Sequence, residues 1–158
     1  MKEQTLILLK PDAVEQRLEH RILFEIYRLE LSPVRVQKMQ LSEALVTEHY
    51  SHHAKKPYFP GICAYMTRGP VIAMVIEGEN AIAKIRELAG ATDPTKAAPH
   101  TLRGRFGKKL ADGGMENVIH ASERPEDAAV EIRRFFGKPE TWFSRLLQKL
   151  FQGRDAKR

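Results

Sequence analysis

The sequence predicts an α+β fold: one four-stranded antiparallel sheet covered by helices, with the elements running βαββαβ. Three observations predict it. Residues 6–9 and 71–76 are apolar at every position, as expected of strands covered on both faces, whereas the other two candidate strands are mixed or short. Apolar residues recur at helical spacing after the first and third strands. Proline, glycine and capping residues fall at the joints between these segments. Two split βαβ units in this order form the ferredoxin-like arrangement, with the first and third strands central and the last strand beside the first.

Thr5-Leu6-Ile7-Leu8-Leu9 is the first strand, stopped by Lys10-Pro11-Asp12. Leu18, Ile22, Ile26 and Leu29 then mark a helix. Val34, Val36, Met39 and Leu41 alternate with Arg35, Gln37, Lys38 and Gln40, with one slip of phase, which suits an edge strand. Ser42 is placed to cap the next helix, where Val46 and Tyr50 lie one turn apart. Residues 55–69 read as a connector with a short helix around 62–66. After the third strand, Ile82, Ile85 and Leu88 share one face of a helix that closes at Gly90. From 91 to 116 no period survives, and a long loop is expected. Residues 117–120 form a short last strand, and Pro125 opens a helix with Ala128, Ile132, Phe135 and Phe136 on its apolar stripe.

At 158 residues and 42% hydrophobic content, the chain supports one core, so residues 1–138 are expected to form one domain and 139–158 an extension. In that extension Trp142, Phe143, Leu146, Leu147, Leu150 and Phe151 gather on one half of a helical wheel and Arg145, Gln148, Lys149 and Gln152 on the other. It is expected to be a C-terminal amphipathic helix packed on its own or a neighbouring subunit, with an anionic membrane surface as the sharper alternative. The net charge of +6 comes largely from this tail and says little about the main domain. No apolar run is long enough to span a bilayer, no signal peptide is evident, and a single cysteine, Cys63, fits a reducing compartment; a cytoplasmic location is expected.

His120 follows two β-branched residues and precedes a helix start, so its ring is held firmly near the surface. Imidazole is neutral near pH 7 and can attack without help from a base. Glu131 lies on the apolar stripe of the next helix, where a carboxylate needs a partner, and bonding to one ring nitrogen of His120 would leave the other to react. Lys10, Arg86 and Arg103 come from three segments, and together they would match the oxygens of a di- or triphosphate, with Thr92 and Asn117 as neutral donors. Neither a Walker-type cradle nor a kinase-like glycine-rich loop is present, so side chains must hold the phosphates. His49, His52 and His53 read as a solvated helix end rather than metal ligands, and no metal is expected directly on the protein. Magnesium would arrive on the phosphates, touched through water by Asp12 or Glu123. Of Tyr58 and Phe59, one is free to stack on a base while the other packs under the connector.

Lys10-Pro11-Asp12, His49-Tyr50, Pro57-Tyr58-Phe59, Gly69-Pro70-Val71, Gly90-Ala91-Thr92-Asp93-Pro94, Thr101-Leu102-Arg103-Gly104 and Asn117-Val118-Ile119-His120-Ala121-Ser122-Glu123 together resemble the nucleoside diphosphate kinase family, in register over residues 4–136. The resemblance implies a Mg2+-dependent ping-pong reaction on nucleoside di- and triphosphates, typically with ATP as donor and phosphorylated His120 as carrier. It places Lys10, Tyr50, Arg86, Thr92, Arg103 and Asn117 on phosphate and sugar, Tyr58 on the base, and Ser122 and Glu131 behind the histidine. It also implies a homo-oligomer, hexamer or tetramer. A non-catalytic nucleotide- or nucleic-acid-binding module on the same sheet is the second reading, weakened because no aromatic pair sits on a strand face. The sequence departs from the family pattern at Arg105, where aspartate is usual, which suggests a further cation near the phosphates. Tyr58 stands for phenylalanine, Ala121 for glycine, Glu123 for aspartate, and Arg17 and His20 for glycines. The segment between Phe106 and Asn117 is longer than the commonest form.

Overall fold

A computed structural model describes residues 2–137. The expected C-terminal helix of 139–158 lies outside them. The first strand, β1 (Lys2–Leu9), leads into α1 (Pro11–Glu15) and α2 (Glu19–Arg28). Next come β2 (Ser32–Met39), α3 (Glu43–His49), α4 (Phe59–Thr67), β3 (Val71–Glu79) and α5 (Ala81–Ala89). The chain continues through α6 (Leu102–Phe106), a hairpin of β4 (Lys108–Lys109) and β5 (Met115–Glu116), β6 (Ile119–Ala121) and α7 (Pro125–Phe136). The main sheet has the order β2-β3-β1-β6, antiparallel throughout, with the two continuous apolar runs in the middle.

Side chains alternate across β1 and build two cores. Ile7 and Leu9 face one side with Ile22, Ile26 and Ile85 of α2 and α5. Leu6 and Leu8 face the other with Val46, Met66 and Phe135 of α3, α4 and α7. His120 pairs directly with Leu8, and paired residues share a face. The register therefore points the histidine toward α3 and α7.

β1 and β3 extend beyond the apolar runs, to Lys2 and Glu79, and other segments differ from the sequence reading for local reasons. The α4 helix starts at Phe59, because Pro60 in its first turn loses no hydrogen bond there. Residues 91–116 are not a plain loop: a 3₁₀ turn at Pro94–Lys96, the five-residue α6 and the β4–β5 hairpin are each too short to show a period. Thr101 caps α6 by accepting from the Gly104 amide at 3.2 Å, and Glu116 ties the hairpin down between Lys108, at 2.9 Å, and Arg68. The last strand begins at Ile119, since Val118 turns with φ of 55°. The slip of phase in β2 is a register shift between Pro33 and Arg35. Arg17 holds φ of 55°, a left-handed conformation that glycine adopts more readily, at the position where glycine is common in the family.

Candidate active site

His120 sits on β6 at the edge of a cavity of about 800 Å³, its ring anchored on one side only. Nε2 lies 3.0 Å from Oε2 of Glu131, and the Ser122 hydroxyl donates to that same oxygen at 2.6 Å. Ser122 is in turn fixed by accepting from the Leu6 amide at 3.1 Å. With Nε2–H donating to the carboxylate, Nδ1 carries the lone pair. Burial holds the His120 pKa below its ordinary value, with Lys10 and Arg103 acting in the same direction and Glu131 against them. The ring is thus neutral, and nucleophilic, around pH 7.

Behind it stands His49, which is not the solvated residue expected. Only 6% exposed, it packs edgewise on His120 with ring centres 4.4 Å apart, and on Phe135 at 5.0 Å. It is the last residue of α3, and the helix directs it inward over the sheet face that carries Leu8. Burial first, then His120 and Arg134, push its pKa far down, so it packs as a neutral ring.

The cations converge on this cavity from separate elements. Lys10, at the end of β1, is 8% exposed and donates to Oδ1 of Asn117 at 2.6 Å. Burial and the Arg103 guanidinium lower its pKa to about 7, Asp12 opposing. Arg103 donates through its two terminal nitrogens to the carbonyls of Gly90, at 2.7 Å, and Ile119, at 2.9 Å. Gly90 makes this possible: with φ of 84° after α5, it turns its carbonyl toward the arginine. The Arg103 Nε is buried without a partner among the described residues. Arg86 lines the cavity half exposed, 3.5 Å from Glu123. Thr92 lines it too, its carbonyl accepting from the Asn117 amide side chain at 2.9 Å. The Tyr50 ring lies 6.2 Å from that of His120, its phenol pushed above the usual range by burial.

Three expected residues are placed differently. Tyr58 does not line the cavity; it is 53% exposed, and its hydroxyl lies 2.9 Å from Nδ1 of His53, which does line it. Arg105 adds no cation to the cavity: both terminal nitrogens lie 3.2 Å from Glu25, and the guanidinium covers the Phe106 ring. Asp12 is 1% exposed with both oxygens engaged, by the Tyr65 hydroxyl at 2.7 Å and the Val118 amide at 3.1 Å. It therefore serves the backbone rather than a cation.

That engagement is the part sequence reasoning missed. The Tyr65 hydroxyl also accepts from the Asn117 amide at 3.2 Å, and the Lys10 amide donates to the Val118 carbonyl at 2.9 Å. Asp12 and Tyr65 thus hold Asn117 and Val118 from behind, and keep Val118, a β-branched residue, in the left-handed region where it is strained. The turn aims β6, and with it His120. Tyr65 lies on an apolar helix and carries no pattern that marks it, whereas Asp12 shows only as part of Lys10-Pro11-Asp12.

His49, His120 and Glu131 each offer a ligand atom within 4.8 Å of the others. Lys10, Arg103 and Arg134 surround that trio, and Glu131 already accepts two hydrogen bonds, so the chemistry of the site opposes a cation there. Glu123 is a carboxylate elsewhere on the cavity wall, fit to meet a cation that arrives on phosphates, whereas both oxygens of Asp127 accept from Arg124, at 2.9 and 3.2 Å.

The family model for nucleoside diphosphate kinase matches residues 3–141. A nucleoside diphosphate kinase of Roseiflexus castenholzii is 44% identical over 138 residues, 87% of this chain and 90% of its own length. The fold superposes on that of the Halobacterium salinarum nucleoside diphosphate kinase, solved in complex with CDP, with TM-score 0.79, 39% identity, and coverage of 86% of this chain and 88% of that one. It superposes equally, at TM-score 0.79, on a transition-state mimic of the Borrelia burgdorferi enzyme with bound vanadate and ADP, 29% identical, covering 85% of this chain and 87% of that one. Since the agreement runs through sequence and fold alike over nearly the whole chain, the chain belongs to the nucleoside diphosphate kinase family, enzymes that transfer phosphoryl groups to nucleoside diphosphates.

Proposed function

We propose that the chain takes the γ-phosphoryl group of a nucleoside triphosphate, typically ATP, onto His120 and passes it to a nucleoside diphosphate. The observation that carries this is the single-sided anchoring of His120: Glu131, itself held by the Ser122 hydroxyl, occupies Nε2, and the ring borders a cavity lined by Lys10, Arg86 and Arg103. The ring nitrogen left free attacks the γ-phosphorus, the bond to the bridging oxygen breaks, and the diphosphate leaves with the electron pair. Positive charge then grows on the imidazole, and Glu131 compensates it through Nε2–H. Lys10, Arg86 and Arg103 stabilise charge on the transferring and leaving oxygens, with Thr92, Tyr50 and Asn117 as neutral partners. In the second half-reaction a terminal oxygen of the acceptor diphosphate attacks phosphorus and the P–N bond breaks. Tyr58 stacks on the base, which takes no part in the chemistry. Transfers of this kind require a divalent cation; Mg2+ arriving on the nucleotide phosphates would be held there by the phosphates with Glu123 nearby, and would supply further charge neutralisation. The direct test is γ-labelled ATP: the label must appear on the protein as an acid-labile, alkali-stable phosphohistidine and chase into added diphosphate. The non-catalytic alternative is not favoured.

Glu131→Gln is expected to lower kcat roughly 10- to 100-fold, since it removes a charge-assisted hydrogen bond that strengthens as the ring becomes cationic. KM for the nucleotide is expected to change far less. Stopped-flow measurement of the phosphorylation step checks this, and an unchanged rate would remove Glu131 from the mechanism.

The catalytic domain is assigned to residues 1–138 and the amphipathic extension to 139–158, in keeping with a family match that ends at residue 141. None of the described helices is long and apolar enough to cross a membrane. The single cysteine, Cys63, supports the cytoplasmic assignment. We further assign a homo-oligomer, hexamer or tetramer. Its support is the open edge of β2, where Val34 and Val36 are exposed beside the exposed Phe24 and Tyr27 of α2. Val36 is level with Met74, which faces the core shared with α2, so Val36 and the α2 side chains lie on one side of the sheet. An edge strand with apolar neighbours calls for a covering surface. Val36→Lys is expected to shift the mass in light-scattering chromatography toward smaller species, and an unchanged mass would place the interface elsewhere.

A further inference from the structure

Aromatic side chains near His120 are linked by successive contacts: the ring centres of Tyr50 and His120 lie 6.2 Å apart, those of His53 and Tyr50 6.3 Å, and those of Tyr58 and His53 5.7 Å. His120, Tyr50 and His53 all line the same cavity. A base stacked on Tyr58 would therefore lie beside His53, the cavity-lining residue bonded to its hydroxyl. Phenylalanine, usual at the Tyr58 position, offers a base only a ring face. Here the ring carries a hydroxyl, and that hydroxyl is bonded to a histidine that faces the cavity.

We infer that His53, oriented by Tyr58, reads the nucleobase as a hydrogen-bond donor and gives the enzyme a preference for bases with an exocyclic carbonyl over those with an amino group at that edge. The inference rests on the reading of Tyr58 as the base-stacking residue. The orientation follows from proton affinities: phenol is the stronger acid and imidazole the stronger base, so Tyr58 O–H donates to Nδ1. A neutral imidazole that accepts at Nδ1 carries its proton on Nε2, leaving one N–H for a ligand. Burial, His52 and Lys56 all hold the His53 pKa below its ordinary value, in keeping with a neutral ring. An N–H donor meets an acceptor in O6 of guanine or hypoxanthine and O4 of uracil, but meets another donor in the amino groups of adenine and cytosine.

The test is transfer from pre-labelled phosphoenzyme to GDP, IDP, ADP, UDP and CDP, each as kcat/KM. GDP and IDP are expected to exceed ADP, and UDP to exceed CDP, by about 3- to 10-fold, the range of one net hydrogen bond. IDP lacks the guanine amino group, so agreement of IDP with GDP assigns the effect to the carbonyl. In His53→Leu the ratios are expected to fall to within about twofold of unity, and in Tyr58→Phe to fall part of the way because the tautomer is no longer fixed. Wild-type ratios already near unity, or ratios that survive His53→Leu, overturn the inference. Tyr58→Ala made in the His53→Leu background measures stacking alone: a common loss for all five acceptors supports that reading, and no loss overturns it whatever the ratios show.

Discussion

Replacement of His120 by glutamine is expected to abolish both the phosphoenzyme and nucleotide exchange, lowering kcat by about five orders of magnitude or more, as for loss of other covalent nucleophiles. Glutamine retains an amide donor toward Glu131, so the fold and the nucleotide site should survive; circular dichroism and ADP binding check this. Intact mass after incubation with ATP reads the result directly, with wild type gaining one phosphoryl group and the variant none. Exchange that persists in the variant, or a wild type that turns over without ever gaining that mass, would replace the covalent mechanism with direct transfer between nucleotides. The size of the effect follows from the arrangement. Among the described residues Glu131 and Ser122 support the His120 ring alone, and His49 is buried behind it.

Lys10→Met is expected to reduce kcat/KM by about 100- to 1,000-fold, comparable to removing one preorganised donor from a charge-stabilising site. The fold is expected to survive the change, because methionine fills the same buried site without a charge to desolvate and the side-chain hydrogen bond lost is the one to Asn117. The pH dependence separates the two roles. Burial lowers the Lys10 pKa from its ordinary 10.5 to about 7 in the fold. Between those values the unfolded chain holds a proton that the folded chain has released, so folding stability contributed by this group rises with pH across that window and is lowest below pH 7. Thermal melts of wild type should show this rise relative to Lys10→Met; parallel curves would mean that burial does not govern the lysine. Activity runs the other way. The free enzyme loses the phosphate-binding charge as pH rises through about 7, so kcat/KM should decline there. Bound phosphates favour the protonated amine, so kcat should hold to higher pH.

The positions of the fold's two central strands were legible because burial on both faces demands apolar residues at every position, and residues 6–9 and 71–76 comply. Glu131 was legible as a carboxylate out of place on an apolar stripe, and the structure sets it 3.0 Å from the ring. His49 was misread because two further histidines follow it closely and suggest a wet helix end; that the helix turns His49 inward depends on where α3 lies against the sheet. Arg105 was misread because its charge is visible in sequence and its partner, Glu25, is eighty residues away.

By itself the sequence carried the βαββαβ order and the sheet topology that follows from it, as periodicity and residue type at local positions, and its motifs carried the resemblance to the family and the candidate groups for the chemistry. Only the tertiary structure decided how those groups are held. The left-handed turn at Val118 is stabilised by Asp12 and Tyr65 from two other elements. The Arg103 side chain is tethered to the carbonyls of Gly90 and Ile119. The Tyr58 hydroxyl is bonded to His53. Each of these depends on a distance between residues whose separation in the chain says nothing about their separation in space, and on hydrogen bonds whose geometry exists only once the sheet and its helices have packed.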